Sequence, residues 1–205
     1  MKIIFRTSVI IFIGFFLLLC FSVLIITFSN VSKIHTPLFE KWWTFVDDLG
    51  TGSQIKPDRH FITTEGDIEV TLTKAADPDW IEQDSPSKYP YVGIGTYFEL
   101  SGSPVDLSEV ENIRLIYKLD GPVSLVLSQY GIKTGNEFIF DLPYAEEYTE
   151  LAIKWSDFKQ PLWANRNTGL DIRKITGISF QIRTVYGGTA NLGIHSLIFF
   201  KKTIK

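Results

Sequence analysis

Between residues 43 and 200 the chain is a succession of short apolar-alternating stretches, each broken by Gly, Pro, Asp or Asn. They fall at 43–46, 68–73, 91–100, 113–119, 123–130, 137–142, 151–155, 175–185 and 192–200. A period of two places every second side chain on one face of a strand. Its recurrence every 8–12 residues or so is the pattern of a sandwich or barrel. No segment of this region sustains a helical period, which argues against an α/β fold. Sixteen Phe, eight Tyr and five Trp suit pleated, half-buried surfaces. The expected fold class is all-β, a two-sheet antiparallel β-sandwich.

The alternation also assigns faces. Ile113, Leu115 and Leu119 share one side of their strand, as do Val123, Leu125 and Leu127, and Ile178, Phe180 and Ile182. These are the core candidates. The opposite sides carry Arg114, Ile116 and Lys118; Ser124, Val126, Ser128 and Tyr130; and Ser179, Gln181 and Arg183. Asp120-Gly121-Pro122 reads as a tight hairpin connection. Gly187-Gly188 supplies two residues that tolerate positive φ.

Residues 7–28 contain no charged side chain and are dominated by Ile, Phe, Leu and Val. As a helix the run is about 33 Å long, enough to cross a hydrocarbon core. It exceeds the core of a cleaved signal peptide and contains no Ala for a cleavage site, so an uncleaved transmembrane helix is expected. Leu19 is too large for the position before a lipidated Cys20. Lys2 and Arg6 precede the run and only Lys33 follows closely. The positive-inside bias therefore puts the N-terminus in the cytoplasm and the remainder in the periplasm or outside the cell. The organisation expected is an anchor at 1–28, a linker at 29–41 broken by Pro37, and a sandwich domain at 42–205. Cys20 is the sole cysteine, so that domain has neither disulfide nor thiolate metal site. Setting Lys2 and Arg6 aside, 18 basic residues face 23 acidic ones, a balance that argues against nucleic acid as a partner.

Four stretches carry a family resemblance. They are Trp43-Thr44-Phe45-Val46-Asp47-Asp48-Leu49-Gly50-Thr51-Gly52-Ser53; Tyr91-Val92-Gly93-Ile94-Gly95 followed by Val105-Asp106-Leu107-Ser108 and Ile113-Arg114-Leu115; Leu151-Ala152-Ile153-Lys154-Trp155-Ser156-Asp157-Phe158; and Ile175-Thr176-Gly177-Ile178-Ser179-Phe180-Gln181-Ile182 leading into the last strand. In this order, over residues 42–200, they resemble the galactose-binding-domain-like jelly roll. The similarity is to family 11 carbohydrate-binding modules and to the domain of complex I intermediate-associated proteins. The resemblance implies a jelly roll that binds glycan on its concave sheet. It implies no cofactor beyond a structural calcium, to which Asp47 and Asp48 are the matching ligands. His195 stands in the final strand where an acidic ligand is expected, and neutral imidazole suits calcium poorly.

A glycan site needs flat aromatic faces and nearby hydrogen-bonding forks. The candidate ligand-binding residues are Tyr130, Gln181, Arg183, Ser128 and Trp163, with Ser179 and Arg114 on the same supposed face. The same polar row equally suits a plain solvated sheet face. Trp80 and Trp163 sit in the two longest irregular stretches, and of the adjacent Trp42 and Trp43 one must point outward if they lie on a strand. His35, His60 and His195 are isolated and belong to no metal or nucleophile motif, so no enzyme is expected. The function expected is a membrane-anchored glycan- or polysaccharide-binding module. The alternative is a protein-interaction or assembly domain of the same fold.

Overall fold

The computed structural model describes residues 42–47, 52–57, 62–63, 66–77, 90–99, 101–162, 164 and 168–201. The apolar run at 7–28 and the linker lie outside them. Among the described residues no helix is long and apolar enough to cross a membrane.

Among the described residues, ten strands form two antiparallel five-stranded sheets. They are β1 (Trp43–Val46), β2 (Gln54–Lys56), β3 (Ile68–Lys74), β4 (Val92–Tyr97), β5 (Val110–Leu119), β6 (Ser124–Gln129), β7 (Phe138–Asp141), β8 (Ala145–Lys154), β9 (Ile175–Gln181) and β10 (Gly188–Lys201). One sheet has the order β1-β4-β9-β6-β7 and the other β2-β3-β10-β5-β8. The all-β, two-sheet expectation holds. Only β2–β3 and β6–β7 are sequence neighbours paired within one sheet. Every other connection crosses from sheet to sheet.

The core lies between the sheets, built from the faces that the alternation assigned. Ile113, Leu115 and Leu119 are buried, with Val123, Leu125, Leu127, Ile178, Phe180 and Ile182. β3 adds Ile68, Val70 and Leu72, and β10 adds Ala190, Leu192, Ile194, Leu197 and Phe199. Two aromatic side chains packed in or against the core reach backbone acceptors: the Tyr117 hydroxyl donates to Pro143 O at 2.8 Å, and Trp155 Nε1 donates to Val110 O at 2.8 Å.

Two expectations need correction. Asp120-Gly121-Pro122 is not a hairpin, because β5 pairs with β10 and β8 whereas β6 pairs with β9 and β7. The Asp120 carboxylate accepts from the Asn191 backbone N and from Nδ2, both at 2.6 Å, and so fastens the turn to β10. A Cβ on Gly121 would lie 2.4 Å from Thr189 O, so the chain passes tightly over the strand end before entering the other sheet. Arg114 is also misplaced by the alternation alone. It lies on β5, in the second sheet, where it meets Glu150 at 3.3 Å and covers the Phe200 ring at 3.9 Å. Alternation fixes a face within a strand, not the sheet to which the strand belongs. The Gly187-Gly188 expectation stands, with φ of 71° and 145° at the crossing from β9 to β10.

Candidate ligand-binding face

The outward face of the β1-β4-β9-β6-β7 sheet brings two kinds of residue together. Strand register lays out its rows. Phe45 pairs with Gly93, Gly93 with Gln181, Gln181 with Ser124 and Ser124 with Asp141. In the next row Trp43 pairs with Gly95, Gly95 with Ser179 and Ser179 with Val126. In the third, Tyr97 pairs with Gly177 and Gly177 with Ser128. The β1–β4 side is thus aromatic, and the β9–β6 side is polar around Val126, with Ser124, Val126 and Ser179 themselves buried.

The aromatic side follows from two short sequences read with period two. Trp43 and Phe45 alternate outward on β1, while Trp42 turns inward, 8% exposed, with its ring 5.8 Å from Phe180. Along Tyr91-Val92-Gly93-Ile94-Gly95-Thr96-Tyr97 the outward positions are Tyr, Gly, Gly, Tyr. Trp43 and Tyr97 are 4.5 Å apart between ring centroids and tilted by 33°, and Phe45 and Tyr91 are 6.4 Å apart. Tyr91 and Tyr97 are 43% and 47% exposed, unlike core aromatics such as Phe180. Such rings offer flat apolar surface with a polar handle. Asp47, placed at the end of β1, steadies one of them. Its carboxylate accepts from Tyr91 N at 3.2 Å and its own N donates to Tyr91 O at 3.0 Å.

The polar side is a chain of hydrogen bonds along β9. Arg183 Nη1 donates to Gln181 Oε1 at 3.3 Å, and Gln181 Nε2 donates to Ser179 Oγ at 2.8 Å. Arg183 also ties β9 to the β6–β7 connection, donating to Gly135 O at 3.2 Å and lying 3.8 Å from Glu137. Burial draws its guanidinium below the usual arginine value, while the carboxylates of Glu137 and Asp141 pull it back. Among the described residues, Arg183 Nε has no hydrogen-bond partner. The other carboxylates of this region are taken up, with Glu137 accepting from Gly135 N at 2.7 Å and Asp141 from the Ser124 hydroxyl at 2.6 Å.

Of the residues singled out in the sequence, Gln181, Arg183 and Ser128 share this sheet with Ser179. Tyr130 does not follow from the same alternation. A register shift between Ser128 and Gln129 ends β6, and Tyr130 lies in the turn beyond, 65% exposed, its N donating to Lys174 O at 2.8 Å. Trp163, Trp80 and Asp48 lie outside the described residues. His195 is on the other sheet from Asp47. Its Nδ1 meets Asp67 at 2.8 Å beside Tyr148, so these two calcium-linked positions do not converge within one sheet. Among the described residues no group of three or more His, Cys, Asp or Glu is placed to hold a metal ion. The sequence reading missed Phe45, Tyr91 and Tyr97, and left Trp43 unassigned. The available signal was the strict aromatic-or-glycine alternation of 91–97 opposite Trp43 and Phe45.

No protein-family model matches the chain, and no curated protein matches it. Solved structures do. The chain is similar to the family 11 carbohydrate-binding module of the cellulosomal cellulase Lic26A-Cel5E of Clostridium thermocellum, with a TM-score of 0.54 and 15% identity over 80% of this chain and 92% of that one. It is also similar to the family 11 module from Clostridium thermocellum in complex with a β-1,3-1,4-mixed-linked tetrasaccharide. There the TM-score is 0.51 and the identity 16%, over 75% of this chain and 88% of that one. The chain therefore has the jelly-roll fold of family 11 carbohydrate-binding modules.

Proposed function

We propose that this chain is a non-catalytic glycan-binding module, held at a membrane by residues 7–28 with its sandwich on the extracytoplasmic side. The observation that carries the binding reading is one sheet face on which Trp43, Phe45, Tyr91 and Tyr97 stand beside the row Ser179-Gln181-Arg183. Aromatic faces cover the apolar side of a pyranose, and the amide, hydroxyl and guanidinium groups meet its hydroxyls. The fold shared with carbohydrate-binding modules supports the reading. A binding rather than hydrolytic role fits the carboxylates of this face, since Glu137 and Asp141 are already held by neighbours instead of standing free across a cleft. The uncharged run at 7–28, with Lys2 and Arg6 before it, supports the anchor and its orientation.

The test is a glycan array probed with the full chain in sugar-free detergent micelles, repeated with Trp43→Ala and Arg183→Ala. Binding that weakens in both variants is the expected result. If no glycan is retained at millimolar concentration, the binding reading fails. A C-terminal alkaline phosphatase fusion should be active, and an inactive fusion would overturn the orientation. A second reading, a protein-assembly domain, is favoured by one observation. Tyr91 and Tyr97 are both exposed on the β1–β4 side of that face.

A further inference from the structure

Three glycines share the outward face just described, Gly93 and Gly95 on β4 and Gly177 on β9. Glycine inside a strand weakens it, and none of the three has the positive φ that would require glycine. Their surroundings supply a reason. A Cβ on Gly93 would lie 2.4 Å from Phe180 O on the neighbouring strand, 2.6 Å from Phe45 Cζ and 2.8 Å from Cε2, so the paired backbone and the Phe45 ring together fill the space above the glycine. A Cβ on Gly177 would lie 2.7 Å from Thr96 O and 3.0 Å from Tyr97 Cδ1, so here too backbone and ring both close in on the glycine. One on Gly95, in the row between, would lie 2.8 Å from Ser179 Cβ, where the aromatic and polar sides meet.

We infer that Gly93 and Gly177 are positioning residues for ligand binding. Each lets an aromatic ring, Phe45 or Tyr97, settle onto the sheet backbone and form a low platform level with the Ser179-Gln181 row. This rests on the glycan-binding reading above. A ring lifted by even one methyl group would tilt its face away from a ligand that also has to reach Gln181 and Ser179. The glycines act through the rings, so their contribution to binding disappears once the ring is gone.

Two measurements on the full chain in sugar-free micelles test this. In the ligand-free protein, the Hα resonances of Gly93 and Gly177 should be shifted upfield by the overlying rings. They should move back in Phe45→Leu and Tyr97→Leu respectively. Resonances that do not respond to those substitutions would overturn the placement, whether or not any glycine variant folds. The second is a double-mutant cycle on the affinity for the mixed-linked β-1,3-1,4 tetrasaccharide. Gly177→Ala and Tyr97→Leu should each weaken binding about tenfold, equivalent to about 1.4 kcal/mol. The double variant should be no weaker than either single within about twofold. Losses that multiply to about a hundredfold would make Gly177 merely structural. A wild-type chain that binds no glycan sinks the functional reading, while the free-protein shifts still decide whether the rings rest on the glycines.

Discussion

Trp42 and Trp43 are adjacent in sequence and should behave as opposites. Trp42 is 8% exposed, packs against Phe180 and has no hydrogen-bond partner on its indole N–H among the described residues, so its contribution is taken as burial. Truncating a buried Trp to Ala costs about 3–5 kcal/mol, a large share of the roughly 5–15 kcal/mol available to a domain. Trp43 is half-buried on the outward side of a four-residue edge strand, with its ring 4.5 Å from that of Tyr97. Losing one aromatic pair there should cost about 1 kcal/mol. Urea denaturation followed by far-ultraviolet circular dichroism measures both without depending on tryptophan emission. The expected outcome is a strongly lowered midpoint for Trp42→Ala, and a clearly smaller shift for Trp43→Ala with glycan affinity reduced. Equal destabilisation by the two substitutions would refute the inward and outward assignment, and with it the aromatic platform.

Other consequences can be measured in the same preparations. Arg183→Met should cost about 1–3 kcal/mol, because the poorly exposed Glu137 carboxylate loses its cation and Gly135 O loses a donor; backbone exchange at 131–137 should accelerate accordingly. Asp120→Ala removes two acceptors from Asn191 at the sheet crossing and should lower stability by about 1–2 kcal/mol in the same urea assay. Tyr148 is pushed up to about 12, first by burial and then by the charge of Asp67. Its stabilising effect is complete below the unfolded value near 10 and is lost as pH rises through 12, so an absorbance titration should show a late-ionising tyrosine component that diminishes in Tyr148→Phe, while Tyr117 and Tyr144, also raised, remain. Asp171 is drawn down to about 2, chiefly by the Arg173 side chain and then its backbone N–H. Its contribution is present above pH 3.8 and fades as pH falls toward 2, which carboxyl-carbon NMR of the wild type and Arg173→Ala would show.

Where apolar residues alternate along a strand, the sequence was readable. β5, β6 and β9 are central or near-central strands, and their apolar sets point to the core as their alternation indicates. β8 is an edge strand whose first half, Ala145-Glu146-Glu147-Tyr148-Thr149-Glu150, is largely solvent-exposed. With little of that half buried, no alternation marks it, and the reading began only at Leu151. β2 is three residues long with Ile55 alone buried, too short to show a period. The hairpin expected at Asp120-Gly121-Pro122 failed because local turn chemistry says nothing about which distant strand, here β10, captures the turn. The polar half of the candidate face was legible as Gln181 and Arg183. The aromatic half was not, because it needs the pairing of β1 with β4, a contact between residues some 50 apart. Tyr130 was lost to a register shift that only the β6–β9 ladder reveals.

The most direct test of the central claim is a residue-resolved NMR titration of the full chain with the mixed-linked β-1,3-1,4 tetrasaccharide and with a set of unrelated oligosaccharides. At least one glycan should perturb Trp43, Tyr97, Gly93 and Gln181 together, while Lys118, His195 and Arg114 on the opposite sheet stay unmoved. Perturbations confined to that opposite sheet, or none with any glycan at millimolar concentration, would contradict a glycan-binding role for the β1-β4-β9-β6-β7 face.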